Sequence, residues 1–92
     1  MKSAYELAIE RLNRASPIKK LSGAQKTKLA ELDSIYAAKI AEREIALTND
    51  VRTAEIKGDI EAAEQARRTL AAERAKLQAE LETKKDRIRA QD

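Results

Sequence analysis

Carboxylates are the side chains of this chain that could take part in acid–base chemistry, and many of them stand three or four residues apart. Glu61 and Glu64 form one such pair, and this spacing places two carboxylates on one face of a helix. The same spacing is common on charged helices, and no nucleophile constellation or glycine-rich phosphate loop accompanies it. The chain has no cysteine and no histidine, which excludes disulfides and both side chains as metal ligands or catalysts. The sequence therefore predicts no catalytic residue, no cofactor site, no metal site and no enzymatic activity.

Basic side chains could instead bind a polyanion, and they are unevenly distributed. Residues 1–30 contain seven basic and two acidic side chains (+5), residues 31–66 four and nine (−5), and residues 67–92 eight and five (+3). If the chain reverses near its middle, it has an acidic tip and a basic open end. With two tyrosines and no other aromatic residue, the chain offers little to stack on single-stranded bases. The candidate polyanion contacts at the basic end are Arg11, Arg14, Lys19, Lys20, Lys26, Lys28, Lys84, Lys85, Arg87 and Arg89.

The apolar residues that must position these charges are arranged symmetrically about Gly58 and Asp59. Going outward from that point, apolar residues on the two sides pair so that their numbers sum to 117, which brings them face to face if the chain reverses there. Gly is the usual residue after a helix end, and Asp is a strong N-cap for the next helix. One uninterrupted helix through Gly58 is the alternative, at a cost of about 1 kcal/mol. The predicted seam residues of the hairpin are Leu29, Tyr36, Ile40, Leu47, Leu70, Leu77, Leu81 and Ile88.

Capping residues and a proline set the expected boundaries of three helices. Ser3 with Glu6 and Ser22 with Gln25 match the capping-box pattern, and Pro17 ends the first helix. Charged residues are 38% and aromatic residues 2% of the chain, a composition typical of long helices. We expect an all-α fold in one domain, with a short N-terminal helix and a long antiparallel, coiled-coil-like hairpin. The expected elements are a helix over 4–15, a connector over 16–22, a helix over 23–57, a turn over 57–59 and a helix over 60–90.

The inward positions of the third helix are predicted to recur with a period near 3.5, typical of a coiled coil. Arg43 and Arg74 occupy inward positions and also sum to 117, so the two arginines should meet at mid-length unless Glu42, Glu73 or a partner chain intervenes. Either their methylene stems cover the seam while the charged ends reach water, or they form a polar layer that fixes the register. The inward positions of the third helix are 60, 63, 67, 70, 74, 77, 81, 84 and 88.

A lone hairpin covers each helix on one side only, so we expect a further contact. The first helix could supply it by folding over the open end through Tyr5, Ile9 and Leu12. A second, weaker apolar stripe on the second helix could supply it as a face for self-association, with scattered surface apolar residues as the alternative. Two hairpins joined at that stripe would form a homodimer with a four-helix core. The candidate oligomer face is Ile35, Ile45 and Ile56.

The sequence favours a non-enzymatic structural, self-assembling or adaptor protein that acts through protein–protein contacts. Nucleic-acid or polyanion binding by the basic open end is the alternative, and a membrane-surface role for the first helix is a weaker one. No apolar run approaches the roughly 20 residues needed to cross a bilayer. The first residues also lack the apolar region of a signal peptide, so the simplest interpretation is a cytoplasmic protein.

One segment of the chain is similar to known proteins. Residues from Tyr36 to Arg67, with Gly58-Asp59 followed by Glu61-Ala62-Ala63 and Arg67-Arg68, resemble helical hairpins of short uncharacterised bacterial proteins. The resemblance covers about a third of the chain. It implies an all-helical hairpin fold and brings no activity, so no functional residue is carried over. In outline the hairpin is also similar to Rop-type dimers and to the long arm of seryl-tRNA synthetases, although shape does not confer function.

Overall fold

Three helices make up the described part of the protein. The computed structural model describes the backbone of residues 3–15 and 20–91 and the side chains of residues 3–11 and 20–91. The helices are α1 (Ala4–Ala15), α2 (Gly23–Ile56) and α3 (Ile60–Arg89), and these residues contain no strand. α2 and α3 pack against each other in antiparallel order. The all-helical hairpin predicted from the apolar pattern is therefore confirmed.

α2 begins with a capping box that also reaches across to α3. The Gln25 backbone N–H donates to the Ser22 Oγ at 3.1 Å, and the Ser22 N–H donates to the Gln25 Oε1 at 2.8 Å. The Gln25 Nε2 donates to the backbone carbonyls of Ile88 at 2.8 Å and Gln91 at 2.7 Å. Because the last carbonyls of a helix have no partner within it, these bonds complete the C-terminal end of α3. Gln25 is buried and fastens the open end of the hairpin.

The chain reverses within a short turn that ends one helix and caps the next. Gly58 has φ +74°, a left-handed conformation that favours glycine. Its N–H donates to the Glu55 carbonyl at 3.0 Å, and the Asp59 N–H donates to the Ala54 carbonyl at 2.8 Å, which together form a Schellman motif. The Asp59 carboxylate then accepts from the Ala62 N–H at 3.0 Å and caps α3. Gly58 and Asp59 thus cap both the end of α2 and the start of α3.

Ion pairs between α2 and α3 report the register of the hairpin. Three of them, which we call the ion-pair ladder, place the acid on α2 and the base on α3: Asp33–Lys85, Glu44–Arg74 and Glu55–Arg67. The acids recur every eleven residues, a step that rotates by only about 20° around a helix, so the ladder follows one side of α2. The first two pairs have residue numbers that sum to 118. The helices therefore meet within one residue of the mirror found in the sequence.

Arg43 and Arg74 each pair at mid-length with a carboxylate of the opposite helix. Arg43 Nη2 lies 3.5 Å from Glu73 Oε1, and Arg74 Nε lies 2.9 Å from Glu44 Oε1. Glu44 therefore takes the role that the sequence interpretation gave to Glu42. The crossed pairs place one carboxylate beside each arginine, which offsets the repulsion expected between them.

Side chains between α2 and α3 form a thin core. The buried apolar residues are Tyr36, Leu47, Ala54, Ala63, Ala66 and Leu81. Three of them are alanines close to the turn, where small side chains allow the helices to approach each other. The remaining predicted seam residues are half-buried: Leu29, Ile40, Leu70, Leu77 and Ile88. Half-burial follows from the architecture, because each helix of a two-helix hairpin is covered from one side only.

The inner face of α3 follows the predicted heptad at five positions and departs from it at four. Ile60 is 77% exposed, and Arg67, Arg74 and Lys84 are exposed as well. Three neighbouring positions are less exposed: Ala66 is buried, and Glu73 and Lys85 are half-buried. The expectation that the four exposed side chains would be buried was wrong. The other five predicted positions are buried or half-buried from one end of α3 to the other, and Arg67, Arg74 and Lys84 still contact side chains of α2.

α1 does not fold back over the hairpin. Among the described residues, the only helices in packing contact are α2 and α3. Tyr5 is 75% and Ile9 40% exposed, so the prediction that they cover the open end is wrong; the side chain of Leu12 lies outside the described residues. α1 is capped locally, since the Glu6 N–H donates to the Ser3 Oγ at 3.2 Å. A stripe of so few apolar residues gains little area against the entropy cost of fixing α1 on the hairpin.

None of the described helices is both long enough and apolar enough to cross a membrane. α2 has the length, with 34 residues, but charged side chains recur along it.

Candidate functional site

A groove opens beside the seam near the open end of the hairpin. We call it the open-end groove; it has a volume of about 370 Å³. Its floor is apolar, with Leu32 and Ile35 from α2 and Ile88 from α3. These residues come together because helical spacing places 28, 32 and 35 on one side of α2 and 84, 87 and 88 along the facing part of α3. The lining residues are Lys28, Glu31, Leu32, Ile35, Lys84, Arg87 and Ile88.

The rim of the open-end groove is basic. Three cations and one carboxylate, that of Glu31, give it a formal charge of +2. The Lys84 ammonium lies 5.2 Å from the centre of the Tyr36 ring, and that of Lys39 lies 4.7 Å from it. The two lysines therefore help to cover Tyr36, which is 1% exposed and whose hydroxyl donates to Glu80 at 3.4 Å. Lys84 is thus held at the rim by a cation–π contact.

The structure brings together only some of the predicted polyanion contacts. Lys28, Lys84 and Arg87 line the open-end groove. Lys85 does not line the groove; its side chain is 15% exposed and pairs with Asp33 at 2.9 Å. A lysine held in an ion pair is a poorer ligand for an incoming phosphate, because the existing pair must first be broken.

The other predicted polyanion contacts are dispersed. Arg89 pairs with Asp86 at 3.0 Å and with Glu82 at 3.6 Å. Lys20 and Lys26 are exposed near the start of α2, and Arg11 is exposed on α1, which is not packed on the hairpin. The side chain of Arg14 and the whole of Lys19 lie outside the described residues. The basic end is therefore a cluster of three side chains with separate cations around it.

The isoleucines of the candidate oligomer face are all exposed, but they do not form one line. Ile35, Ile45 and Ile56 are 51%, 67% and 80% exposed. At 100° per residue, Ile45 and Ile56 lie about 20° apart around α2, whereas Ile35 lies about 80° from Ile45. Ile45 and Ile56 thus share the outer side of α2, and Ile35 belongs to the open-end groove. The single stripe expected from the sequence is two separate apolar features.

Sequence reasoning missed the combination of apolar floor and basic rim at the open end. From the sequence, Ile88 was assigned to the seam, Ile35 to the candidate oligomer face, and Lys28 and Arg87 to the candidate polyanion contacts. The pairing of residues whose numbers sum to 117 could have indicated the groove, because it places residues 28–35 opposite residues 82–89. Within the described residues no group of three or more acidic side chains is arranged to hold a metal ion.

Comparison with protein-family models finds no match for this chain. Comparisons with curated proteins and with solved structures find no significant match either. The surfaces of the hairpin are therefore the basis for assigning a function.

Proposed function

We propose that this chain is a non-enzymatic structural or adaptor protein that acts through protein–protein contacts and forms a homodimer with a four-helix core. One observation carries the proposal: the hairpin leaves much of its apolar surface uncovered. Five of the eight predicted seam residues are only half-buried, and three isoleucines of α2 are at least half exposed. A second copy would bury this surface, which is the usual solution for helical hairpins.

The mass of the chain in solution tests the proposal. Light scattering and analytical ultracentrifugation at micromolar concentration should give twice the chain mass of 10.3 kDa. A compact monomer across the accessible concentration range would remove the self-assembly proposal.

Substitutions in α2 then locate the contact. Ile45→Asp places a carboxylate on the exposed outer side of α2, and we expect it to dissociate the dimer while circular dichroism retains most of the helicity. Ala46→Asp is the matched control, because it adds the same charge at the same height but is rotated by about 100°. Dissociation by Ala46→Asp with Ile45→Asp unaffected would move the contact to the flank of the hairpin.

Polyanion binding is the second candidate, and the cluster of Lys28, Lys84 and Arg87 favours it. With about three phosphates neutralised, affinity for duplex DNA or RNA should fall only about fortyfold between about 50 and 200 mM salt. An electrophoretic shift would compare Lys28→Glu/Arg87→Glu with Arg52→Glu/Arg68→Glu, which changes the net charge equally at exposed positions elsewhere. Equal losses of affinity in the two double variants, or no electrophoretic shift of the wild-type protein at low salt, would exclude polyanion binding at this site. The apolar floor suits an amphipathic acidic helix better than a phosphate backbone.

A further inference from the structure

The open-end groove is suited to a ligand that has an apolar face with negative charge beside it. Its floor of Leu32, Ile35 and Ile88 is apolar, its rim carries a formal +2, and Ile35 is half exposed. Apolar grooves with a basic rim accept the apolar face of an amphipathic helix, and opposite charges on that helix fix its orientation.

α1 presents that chemistry on one side. Tyr5 and Ile9 are exposed large apolar side chains, and Glu6 and Glu10 line the same surface. Each glutamate follows one of the apolar residues by one position, so both carboxylates lie along the same flank of the apolar pair. The Glu6 carboxylate there is opposite in charge to the basic rim of the groove.

The dimensions agree as well. The groove residues of α2 extend from Lys28 to Ile35, about 10 Å along the helix, and α1 with its twelve residues is about 18 Å long. A free helix of this length is marginal in water, so α1 needs a surface to remain helical. In its own chain that surface is not the groove, because α1 is not packed on α2 or α3.

We infer that α1 of a second copy of this chain docks in the open-end groove, so that two copies exchange their N-terminal helices. This inference rests on the proposed self-association and adds the segment that makes the contact. In a symmetric dimer each chain gives one α1 and receives one, so the contact occurs twice.

Mixing two defective variants tests the exchange. Ile9→Asp damages α1 and leaves the groove intact, whereas Ile35→Asp damages the groove and leaves α1 intact. Each variant alone loses both contacts, and we expect its dimer dissociation constant to rise at least about a hundredfold, at about tenfold per contact. An equimolar mixture retains one intact contact per heterodimer, so its dissociation constant should rise only about tenfold. A mixture that forms no heterodimer overturns the inference.

Controls separate the outcomes. Leu7→Asp adds the same charge to the opposite side of α1 and should leave the dissociation constant unchanged. Glu6→Lys should weaken the wild-type dimer, and Lys28→Glu/Arg87→Glu on the other chain should recover the loss. A dimer that Ile9→Asp leaves unaffected overturns the inference but not the proposed function, whereas a monomeric wild-type chain overturns both.

Hydrogen exchange of the α1 amides gives a second measurement. We expect protection only above the dissociation constant of the dimer. Protection at every concentration would show that α1 docks in its own chain, and absence of protection in the dimer would show that α1 docks nowhere; either result overturns the inference.

Discussion

Gln25 connects the start of α2 to the end of α3, and substitutions at this position separate its two roles. Its side chain makes three hydrogen bonds: it accepts from the Ser22 N–H and donates to the carbonyls of Ile88 and Gln91. Gln25→Glu keeps an oxygen for the Ser22 N–H but has no N–H for the two carbonyls. Gln25→Ala removes all three bonds.

The magnitude follows from these contacts. A hydrogen bond contributes about 1 kcal/mol net, so Gln25→Ala should lower the free energy of unfolding by about 3 kcal/mol. Gln25→Glu loses about 2 kcal/mol from the two bonds to α3. It gains back roughly 0.3–1 kcal/mol, because a carboxylate is favourable at a helix N-terminus. The carboxylate also sets an oxygen against the two carbonyl oxygens at a buried position, which costs about 1–3 kcal/mol more, so the expected net loss for Gln25→Glu is about 2–5 kcal/mol.

Urea unfolding followed by circular dichroism measures these losses at neutral pH and one fixed protein concentration, because self-association shifts the midpoint. Ser22→Ala is the control: it removes the capping oxygen alone and should cost about 1 kcal/mol. If the bonds to Ile88 and Gln91 contributed nothing, Gln25→Glu would stabilise the protein through the helix-end charge. A gain in stability for Gln25→Glu would thus refute the connecting role.

Three further outcomes can be measured in the same assay. Gly58→Ala should destabilise the protein by about 1 kcal/mol because Gly58 has a positive φ. Gly23→Ala should stabilise it by about 0.4–1 kcal/mol, although an added Cβ meets no atom at either site. Similar effects at both sites would contradict the turn geometry. Tyr36→Ala should cost about 3–5 kcal/mol and Tyr36→Phe less than about 1 kcal/mol, because the hydroxyl bond is long at 3.4 Å. A double-mutant cycle on Glu44 and Arg74 should give a coupling energy of about 0.2–1 kcal/mol. This energy should decrease in 1 M salt, because the Debye length there is only about 3 Å. A coupling energy independent of salt would contradict a surface ion pair.

The register and the turn could be predicted because two independent features of the sequence indicate them. Apolar residues on both arms mirror each other about Gly58, and the turn residues have the conformational preferences that a reversal requires. The charges then agree with the same register, since Glu44 meets Arg74 within one residue of the predicted mirror. Independent signals that agree are what made the hairpin predictable.

Other features depended on geometry that residue types do not specify. A Gln at the third position of a helix indicates a capping box, but its second contact depends on where α3 ends. Ile60 matches the heptad, but it is the first residue of α3, beside the turn, where α2 has ended and little covers it. The open-end groove depends on two helices at once, so neither arm alone shows an apolar floor with a basic rim.

The turn at Gly58 and Asp59 also affects the loop-closure entropy lost when α2 and α3 first make contact during folding. Bonds across the hairpin join residues that are 12 apart for Arg67 and Glu55, 30 for Arg74 and Glu44, and 66 for Gln25 and Gln91. Making the most distant bond first would cost about 1.5 kcal/mol more loop-closure entropy than making the nearest one. Pairing that starts beside Gly58 and proceeds outward avoids this penalty, since each new contact extends an existing one. The folding nucleus should therefore lie beside the Gly58 turn, and the hydrogen bonds from Gln25 to the end of α3 should form last.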